Sequence, residues 1–222
     1  MNQKAFTWSF SALKDYINCP RKYHETKVLK RFETKVTQAM TFGTNVHKHC
    51  EDYVGEGKPL PKNYSHFKPV LDSLMEINGT RYPEHEMGLK PDGTACEFND
   101  PARWVRGIAD LLIVDGDQAY IVDYKTGSNK YPDAKQLKLM ALMTFAHFPE
   151  VQKIKAGLLF IVHNSFVDES YTRDQVENLW ANFRPDLQRL QASYDTDVWN
   201  PNKTPLCGWC PVTTCEYYKE RR

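Results

Sequence analysis

The stretch from Gly107 to Gly127 constrains the fold of this chain more than any other. Two apolar segments rich in β-branched residues, 108–114 and 120–122, flank the sequence Asp115-Gly116-Asp117. Such segments on either side of an Asp-Gly turn predict a β-hairpin. Because apolar residues occupy both alternating sets of positions, we expect other elements to cover both faces of this hairpin.

Three charged residues interrupt the apolar segments, namely Asp110, Asp123 and Lys125. Asp123 and Lys125 are two residues apart, so they share one face of their strand. A Gly116-Asp117 loop places Asp110 opposite Asp123, whereas an Asp115-Gly116 loop shifts the register by two and keeps both on one face. Close carboxylates repel each other unless a positive charge lies between them, and buried charges need partners. The pattern favours a divalent metal site beside Lys125 over a solvent-facing acidic hairpin.

The sequences Gly-Ile-Ala-Asp at 107–110 and Ile-Val-Asp-Tyr-Lys-Thr-Gly at 121–127 resemble the D…(D/E)-x-K core of the PD-(D/E)XK nuclease superfamily, in its RecB-like branch. The resemblance implies that Asp110 and Asp123 bind a metal ion, together with the carbonyl of Tyr124. It also implies that Lys125 positions or activates the attacking water and stabilises the developing phosphate charge. The cofactor is then Mg²⁺ or Mn²⁺, because hard oxygen ligands suit both ions.

Three positions outside the hairpin also match the family's pattern. Gly43 to His47 fits a G-x-x-x-H helix that often carries a metal-ligating histidine, although a lone helical histidine is usually structural. The family often has a metal-binding Glu in the first core strand, and we favour Glu86 over Glu84 for that role. Gln136 matches the Gln of a Q-x-x-x-Y helix near the active site, but Met140 stands in the Tyr position.

The order of predicted elements agrees with a restriction-endonuclease-like α/β core. Residues 65–163 are predicted to form an αβββαβ unit with a mixed central sheet flanked by helices. An N-terminal helical part, 1–60, would contain Cys19 and His47. A capping-box sequence at Thr172 predicts a long helix through residue 190. Residues 172–222 would therefore form a C-terminal module of this helix and the cysteines. The whole chain, 1–222, would be a single nuclease domain.

The cysteine spacing near the C-terminus is a second metal signal. Cys207, Cys210 and Cys215 form a C-x2-C-x4-C sequence, and three close cysteines in an intracellular chain favour a metal over disulfides. A closed site needs a fourth ligand. The sequence from Ser11 to Tyr23 resembles that of RecB-like nucleases with an iron–sulfur centre, including CRISPR-associated adaptation nucleases, which implies that Cys19 completes a [4Fe–4S] site. The tail of those nucleases is commonly C-x2-C-x5-C. The shorter spacing here leaves Zn²⁺ as an alternative to the cluster. A further alternative is that the three C-terminal thiols bind no metal.

The densest basic stretch lies on a helix predicted from Arg21 to about Glu33. The net charge of the chain is only +1, so any basic surface must be local. A run of this kind is commonly a solvated helix face, but in a nuclease it would suit DNA phosphates. The candidate DNA-binding residues are Arg21, Lys22, Lys27, Lys30 and Arg31.

The remaining sequence features bear on partners and localisation. No segment approaches ~18 apolar residues, and no apolar segment follows the N-terminus, so we expect a cytoplasmic protein without a membrane partner. The chain has no G-x-x-x-x-G-K-[ST] motor motif, which favours action on DNA ends or single strands, alone or with a helicase or recombination partner. Its small size resembles phage nucleases of recombination or genome degradation, which would act in the host cytoplasm, and exonuclease action is preferred. The alternatives are an inactive cluster-bearing DNA-binding module and a nuclease acting on RNA.

Overall fold

The computed structural model describes residues 6–130 and 132–219. The chain divides into two compact units. The terminal unit comprises the described residues up to Val36 and from Phe183 onward, and the core unit comprises Thr37–Asn182. This division differs from the predicted boundary at residue 60, because the helix that carries His47 is part of the core unit.

Regular elements account for most of the described chain. The α-helices are α1 Phe10–Asn18, α2 Pro20–Tyr23, α3 Gln38–Glu56, α4 Lys68–Met75, α5 Lys135–His147, α6 Val176–Ala181 and α7 Arg184–Thr196. The strands are β1 Thr80–Leu89, β2 Ala95–Cys96, β3 Val105–Asp115, β4 Gln118–Lys125, β5 Lys153–Phe160 and β6 Ser165–Thr172. A π-helical segment and three short 3₁₀ helices complete the set at His24–Val28, Lys62–Phe67, Arg173–Gln175 and Pro205–Trp209. No helix among the described residues is long and apolar enough to cross a membrane.

The core unit is built on one six-stranded sheet with the strand order β2-β1-β3-β4-β5-β6. All neighbouring strands are antiparallel except β4 and β5, which are parallel and are joined through α5. A parallel pair needs a crossover connection of this kind, usually a helix. The predicted α/β class, with a mixed sheet flanked by helices, is confirmed.

The two faces of the sheet are covered by different helices. Buried residues of α3 and α4 pack with Leu111, Val122 and Tyr124 in one apolar cluster. Helix α5 contacts β1, β3, β4 and β5, and its Gln136 bonds to residues of β4 that alternate with Val122 and Tyr124. Because alternate residues of a strand face opposite sides, α5 lies on the other face. The hairpin is therefore covered on both sides, as its apolar pattern predicts.

The turn of the central hairpin is Gly116-Asp117, the first of the two registers considered. Asp115 pairs with Gln118, and the ladder runs to the pair Leu111 and Val122. Gly116 has φ +57°, a left-handed conformation that glycine adopts without a steric penalty. The ladder ends one position before Asp110 and Asp123, where the two strands begin to separate.

The terminal unit is held together by aromatic and polar contacts between its two chain segments. Ser9 is the N-cap of α1, and Pro20 occupies the first turn of α2. The hydroxyl of Tyr16 bonds to the main chain of Arg189 and to Ser193. Trp199 stacks on His24 with 4.5 Å between ring centroids.

Several predicted elements are shorter or broken in the structure. The basic helix expected from Arg21 to about Glu33 ends at Val28, and Lys30 follows with φ +53°. The helix expected over 65–78 begins as the 3₁₀ segment and continues only as α4. The capping box at Thr172 is present, but α6 and α7 are separate, since Pro185 has no N–H with which to continue the hydrogen bonds of α6. Strands β2 and β6 were missed.

Candidate active site

Three predicted residues form a connected polar group on the α5 face of β4. Asp123 and Lys125 project together from this strand, and Gln136 reaches them from the first turn of α5. Gln136 Nε2 donates to Asp123 Oδ1 at 2.6 Å, and Lys125 Nζ donates to Gln136 Oε1 at 3.0 Å. Lys125 Nζ also lies 2.5 Å from Asp123 Oδ2, an ion-pair distance. Gln136 therefore fixes the carboxylate and the ammonium relative to each other.

Asp123 is held in an environment that disfavours its negative charge. Asp123 is only 5% exposed, and the described group closest to its Oδ2 is the ammonium of Lys125. Burial, followed by the charge of Asp110, raises the pKa of Asp123, and the charge of Lys125 only partly offsets this. A buried carboxylate whose pKa stays raised beside one ammonium would be stabilised further by a second cation, such as a metal ion.

Asp110 links the hairpin to α3. Its Oδ2 accepts a hydrogen bond of 2.7 Å from the main-chain N–H of Tyr124, so the side chain replaces a ladder carbonyl where the strands separate. The same oxygen lies 3.3 Å from Nδ1 of His47 on α3. Burial disfavours the imidazolium, but the hydrogen bond to Asp110 and the charges of Asp110 and its acidic neighbours raise the pKa of His47 overall.

Glu84 of β1 completes a compact set of possible metal ligands. One ligand atom each from His47, Glu84 and Asp110 lie within 4.8 Å of one another. Burial, followed by the charge of Asp110, raises the pKa of Glu84 to about 7. Among the described residues this is the one group of three such side chains, and Asp123 lies outside it.

The structure corrects the choice of Glu86 as the strand ligand. Glu86 is exposed and does not belong to the group, whereas the half-buried Glu84 does. The prediction assumed regular alternation, which would place both side chains on one face. Glu84 has φ +45° instead, so the strand is not extended at this residue and the alternation is interrupted.

The donor set fits a hard divalent cation. It combines one imidazole nitrogen, two carboxylates within reach of a common point and the further buried carboxylate of Asp123. Its carboxylate oxygens are ligands of the kind that suit Mg²⁺ and Mn²⁺, and the imidazole adds a ligand typical of transition-metal ions. A lysine ammonium next to such a group can stabilise negative charge on a phosphate.

Comparison with known proteins agrees with this geometry. The sequence pattern of the PD-(D/E)XK nuclease superfamily matches residues 7–78 and 68–215. The chain belongs to the PD-(D/E)XK nuclease superfamily. No curated protein matches the sequence.

Two solved structures resemble this chain at low sequence identity. A candidate exonuclease from Eubacterium rectale superimposes with a TM-score of 0.53 and 13% identity, over 97% of this chain and 88% of that chain. A protein named SSO0001 is similar with a TM-score of 0.49 and 13% identity, over 99% of this chain and 90% of that chain. At this identity the first match supports the fold of this PD-(D/E)XK protein.

A second candidate site lies within the terminal unit of this PD-(D/E)XK protein. Four cysteines predicted to act together line one pocket, although they come from both ends of the chain. They are free thiols and are partly buried. The four cysteines are Cys19, Cys207, Cys210 and Cys215. The same pocket is also lined by Arg21, Lys22, Asn202, Val212 and Tyr218.

The main chain around this pocket points N–H groups at sulfur. Cys19 Sγ accepts from the N–H of Lys22 at 3.5 Å and of Asn202 at 3.4 Å. Cys207 Sγ accepts from the N–H of Thr204 at 3.3 Å. Burial raises the pKa of the Cys210 thiol, and the nearby sulfurs of Cys19 and Cys215 contribute. Such N–H donors would stabilise thiolates once they carry charge.

The two other cysteines lie apart from this pocket. Cys50 is fully buried in the cluster of α3 and α4, where burial raises the pKa of its thiol to about 12. Cys96 is in the short edge strand β2. Neither of them lines the pocket.

The predicted DNA-binding cations are only partly free. Lys22 and Lys27 each lie 3.7 Å from a carboxylate oxygen of Asp15, and Arg31 lies 3.8 Å from Glu25. These ion pairs reduce the positive potential of the stretch. Arg21 and Lys30 complete the predicted group, and Arg21 lines the cysteine pocket.

Sequence reasoning weighed Glu84 but preferred Glu86, and it could not foresee how Gln136 is placed. Glu84 carried a signal in the sequence, because Pro83 precedes it and proline restricts the strand, but this signal does not by itself distinguish Glu84 from Glu86. The bridging role of Gln136 between Asp123 and Lys125 depends on how α5 packs on β4, which no local pattern predicts.

Proposed function

We propose that this protein is a metal-dependent deoxyribonuclease that hydrolyses phosphodiester bonds of DNA. The proposal rests on two neighbouring groups of polar side chains in a protein of the PD-(D/E)XK superfamily. The first is His47, Glu84 and Asp110, whose ligand atoms lie within 4.8 Å of one another. The second is Asp123 and Lys125, which Gln136 joins by hydrogen bonds.

The three residues of the first group would hold one or two Mg²⁺ or Mn²⁺ ions together with Asp123 and the Tyr124 carbonyl. Such ions would polarise the scissile phosphate and lower the pKa of the attacking water. The protein positions its own charges for this chemistry. Lys125 keeps its ammonium beside Asp123 through the bond to Gln136, where it would stabilise charge that develops on the phosphate. His47 orients the Asp110 carboxylate through the contact at Oδ2.

The donor geometry also favours a retained catalytic function over a decayed one. Two acidic residues, Glu84 and Asp123, have raised pKa values that disfavour their charged forms in the absence of a cation. A protein that had lost metal chemistry would gain stability by replacing such residues with neutral ones. The inactive DNA-binding module therefore ranks second.

The proposal extends to exonuclease action on DNA ends or single strands. The support is the similarity to the Eubacterium rectale candidate exonuclease. The setting would be recombination, repair or genome degradation. A phage origin, action in the host cytoplasm and a helicase or recombination partner are part of the same proposal.

We further propose that Cys19, Cys207, Cys210 and Cys215 hold one [4Fe–4S] cluster, with Zn²⁺ as the alternative. The support is their common pocket and the N–H groups directed at sulfur. No three of these described cysteines have sulfurs within 4.8 Å of one another. The bound group would join the two chain ends of the terminal unit.

One experiment tests the nuclease proposal directly. The purified protein is incubated with end-labelled single-stranded DNA, double-stranded DNA and RNA in Mg²⁺, Mn²⁺ or EDTA, and products are separated on a gel. We expect metal-dependent cleavage of DNA that EDTA abolishes and Asp123→Ala lacks. Stepwise shortening from ends would indicate an exonuclease. Cleavage of RNA alone would contradict the proposed substrate, and DNA binding without cleavage would favour the inactive module.

A further inference from the structure

Glu84 has an unusual backbone conformation for its position. It lies within β1 and has φ +45°, the left-handed region that L-residues other than glycine seldom adopt. The ladder between β1 and β3 is regular on both sides, with Pro83 paired to Leu111 and His85 to Ala109. The ladder has no pair at Glu84, whose position in this register is opposite Asp110. The strand is therefore interrupted at the residue whose carboxylate approaches His47 and Asp110.

A close contact holds the residue before Glu84 in place. A Cβ atom built on Gly55 of α3 would lie 2.7 Å from Cγ and 3.4 Å from Cβ of Pro83. The helix main chain thus lies directly against the Pro83 ring, and only glycine at 55 permits this approach. The pyrrolidine ring also fixes the φ angle of Pro83. Because the ring and the main chain cannot move independently, the contact with Gly55 also positions the main chain that leads into Glu84.

The same helix carries the histidine of the site. His47 and Gly55 lie two turns apart on α3. One rigid helix therefore presents the imidazole to Asp110 and, farther along, supports the main chain before Glu84. This arrangement sets the distance between two of the three grouped side chains.

We propose that Pro83, seated against Gly55, is a positioning residue that keeps Glu84 left-handed and so directs its carboxylate to His47 and Asp110. The inference rests on the proposed metal site. It assigns a function to two residues, Gly55 and Pro83, that contact no ligand atom of that site. It also explains why the carboxylate of Glu84, and not that of Glu86, approaches His47 and Asp110. If residue 84 were extended, regular alternation would return and both side chains would lie on one face of the strand.

The first test enlarges residue 55. Gly55→Val places methyl groups beyond the 2.7 Å contact, farther than a change of proline ring pucker can absorb, so Pro83 must move. We expect Mn²⁺ affinity, measured by calorimetry, to fall about tenfold, the usual scale for residues that orient metal ligands. The matched control is Glu56→Val, which puts the same β-branched residue at the neighbouring exposed position and should bind Mn²⁺ as the unchanged protein does. Unchanged affinity in Gly55→Val would overturn the proposal.

The second test reads the backbone conformation without metal. If the fold holds residue 84 left-handed, Glu84→Gly should melt about 2–4 °C above Glu84→Ala, because glycine carries no Cβ penalty there. In an extended strand the order reverses, since glycine destabilises strand interiors. A melting temperature for Glu84→Ala equal to or above that of Glu84→Gly would overturn the proposal, even if Gly55→Val cannot be purified.

These results separate the inference from the proposed function. Failure of the unchanged protein to bind Mn²⁺, or unchanged binding by Glu84→Gln, would remove the metal site and the inference with it. Normal Mn²⁺ binding by the unchanged protein, weakened binding by Glu84→Gln and full binding by Gly55→Val would overturn the inference alone.

Discussion

Gln136 donates a hydrogen bond of 2.6 Å from Nε2 to Oδ1 of Asp123. The other end of the same amide accepts from Lys125 Nζ, so one side chain of α5 orients both functional groups of β4. An amide is suited to this task, because it offers a donor and an acceptor in a fixed plane. The buried carboxylate is thereby oriented through Oδ1, while its second oxygen faces the Lys125 ammonium.

The first prediction concerns the chemistry of β4. Asp123→Ala or Lys125→Ala should reduce DNA cleavage by a factor of ~100 or more, because each change removes a charge placed at the reacting phosphate. Both variants should retain the fold and most DNA affinity. Cleavage rates with end-labelled DNA and Mg²⁺ measure the effect, with Lys153→Ala, an exposed lysine at the start of β5, as the control. Undiminished cleavage by Lys125→Ala would exclude a catalytic role for this lysine.

The second prediction concerns the bridge. Gln136→Leu keeps the approximate volume but removes both hydrogen bonds, so we expect cleavage to fall about 10–100-fold, the scale for residues that orient ligands. Mn²⁺ affinity should fall less than in Asp123→Ala, because the carboxylate remains. Gln152→Leu, at an exposed position, serves as the control. If Gln136→Leu cleaves DNA at the normal rate, the bridge has no functional role.

A third prediction distinguishes two neighbouring histidines. His47→Ala should weaken Mn²⁺ binding in calorimetry, because His47 belongs to the group of ligand atoms. His49→Ala should not, since the His49 ring packs on Tyr64 with 4.8 Å between centroids. Equal effects of the two substitutions, or none, would mean that His47 is structural.

The fourth prediction concerns pH. Burial and the charge of Asp110 raise the pKa of Glu84 from 4.5 to about 7, so the native state binds more protons than the unfolded state between these values. The free energy of unfolding of the metal-free protein should therefore fall as pH rises through this window. The raised pKa values of Asp123 and His47 act in the same direction.

Thermal melts at pH 5.5 and pH 8 without metal measure this effect, and Glu84→Gln should reduce the pH dependence. Mn²⁺ should raise the melting temperature more at pH 8, because metal ligands must be deprotonated. A metal-free protein that becomes more stable from pH 5.5 to 8 would contradict the assignment of raised pKa values.

The fifth prediction concerns the cysteine pocket. Anaerobically purified protein should be brown, with broad absorption near ~400 nm and bound iron, and Cys19→Ala should lose both. A colourless protein with about one zinc per chain would favour the alternative. Cys96→Ala is the matched control, because this thiol lies outside the pocket. Folded protein with neither metal would refute the site.

Local sequence patterns were sufficient for much of the core unit. The Asp-Gly turn between apolar segments predicted β3 and β4, and the spacing of Asp123 and Lys125 predicted their common face, because both depend only on residues close in the chain. The apolar character of 153–163 likewise predicted the last strand of the core, which the structure forms as β5, Lys153–Phe160. Strand β6 was missed because it is a half-exposed edge strand without a continuous apolar pattern.

Other features depended on contacts between distant segments. The long helix predicted after Thr172 breaks before Pro185, and here the proline itself was the overlooked signal. Whether the cysteines meet could be inferred only by resemblance, since Cys19 and Cys207 are far apart in the chain. Their common pocket results from packing between the two chain segments of the terminal unit.

The sequence by itself determined the hairpin, the acidic and basic residues of β4 and the family to which the chain belongs, because these follow from local spacing and residue type. Only the tertiary structure decided that Glu84 and not Glu86 joins His47 and Asp110. The physical reason is that ligand choice in β1 depends on one backbone angle, φ +45° at Glu84. That angle is set where Pro83 meets Gly55 of α3, and alternation along a strand carries no information about such a contact.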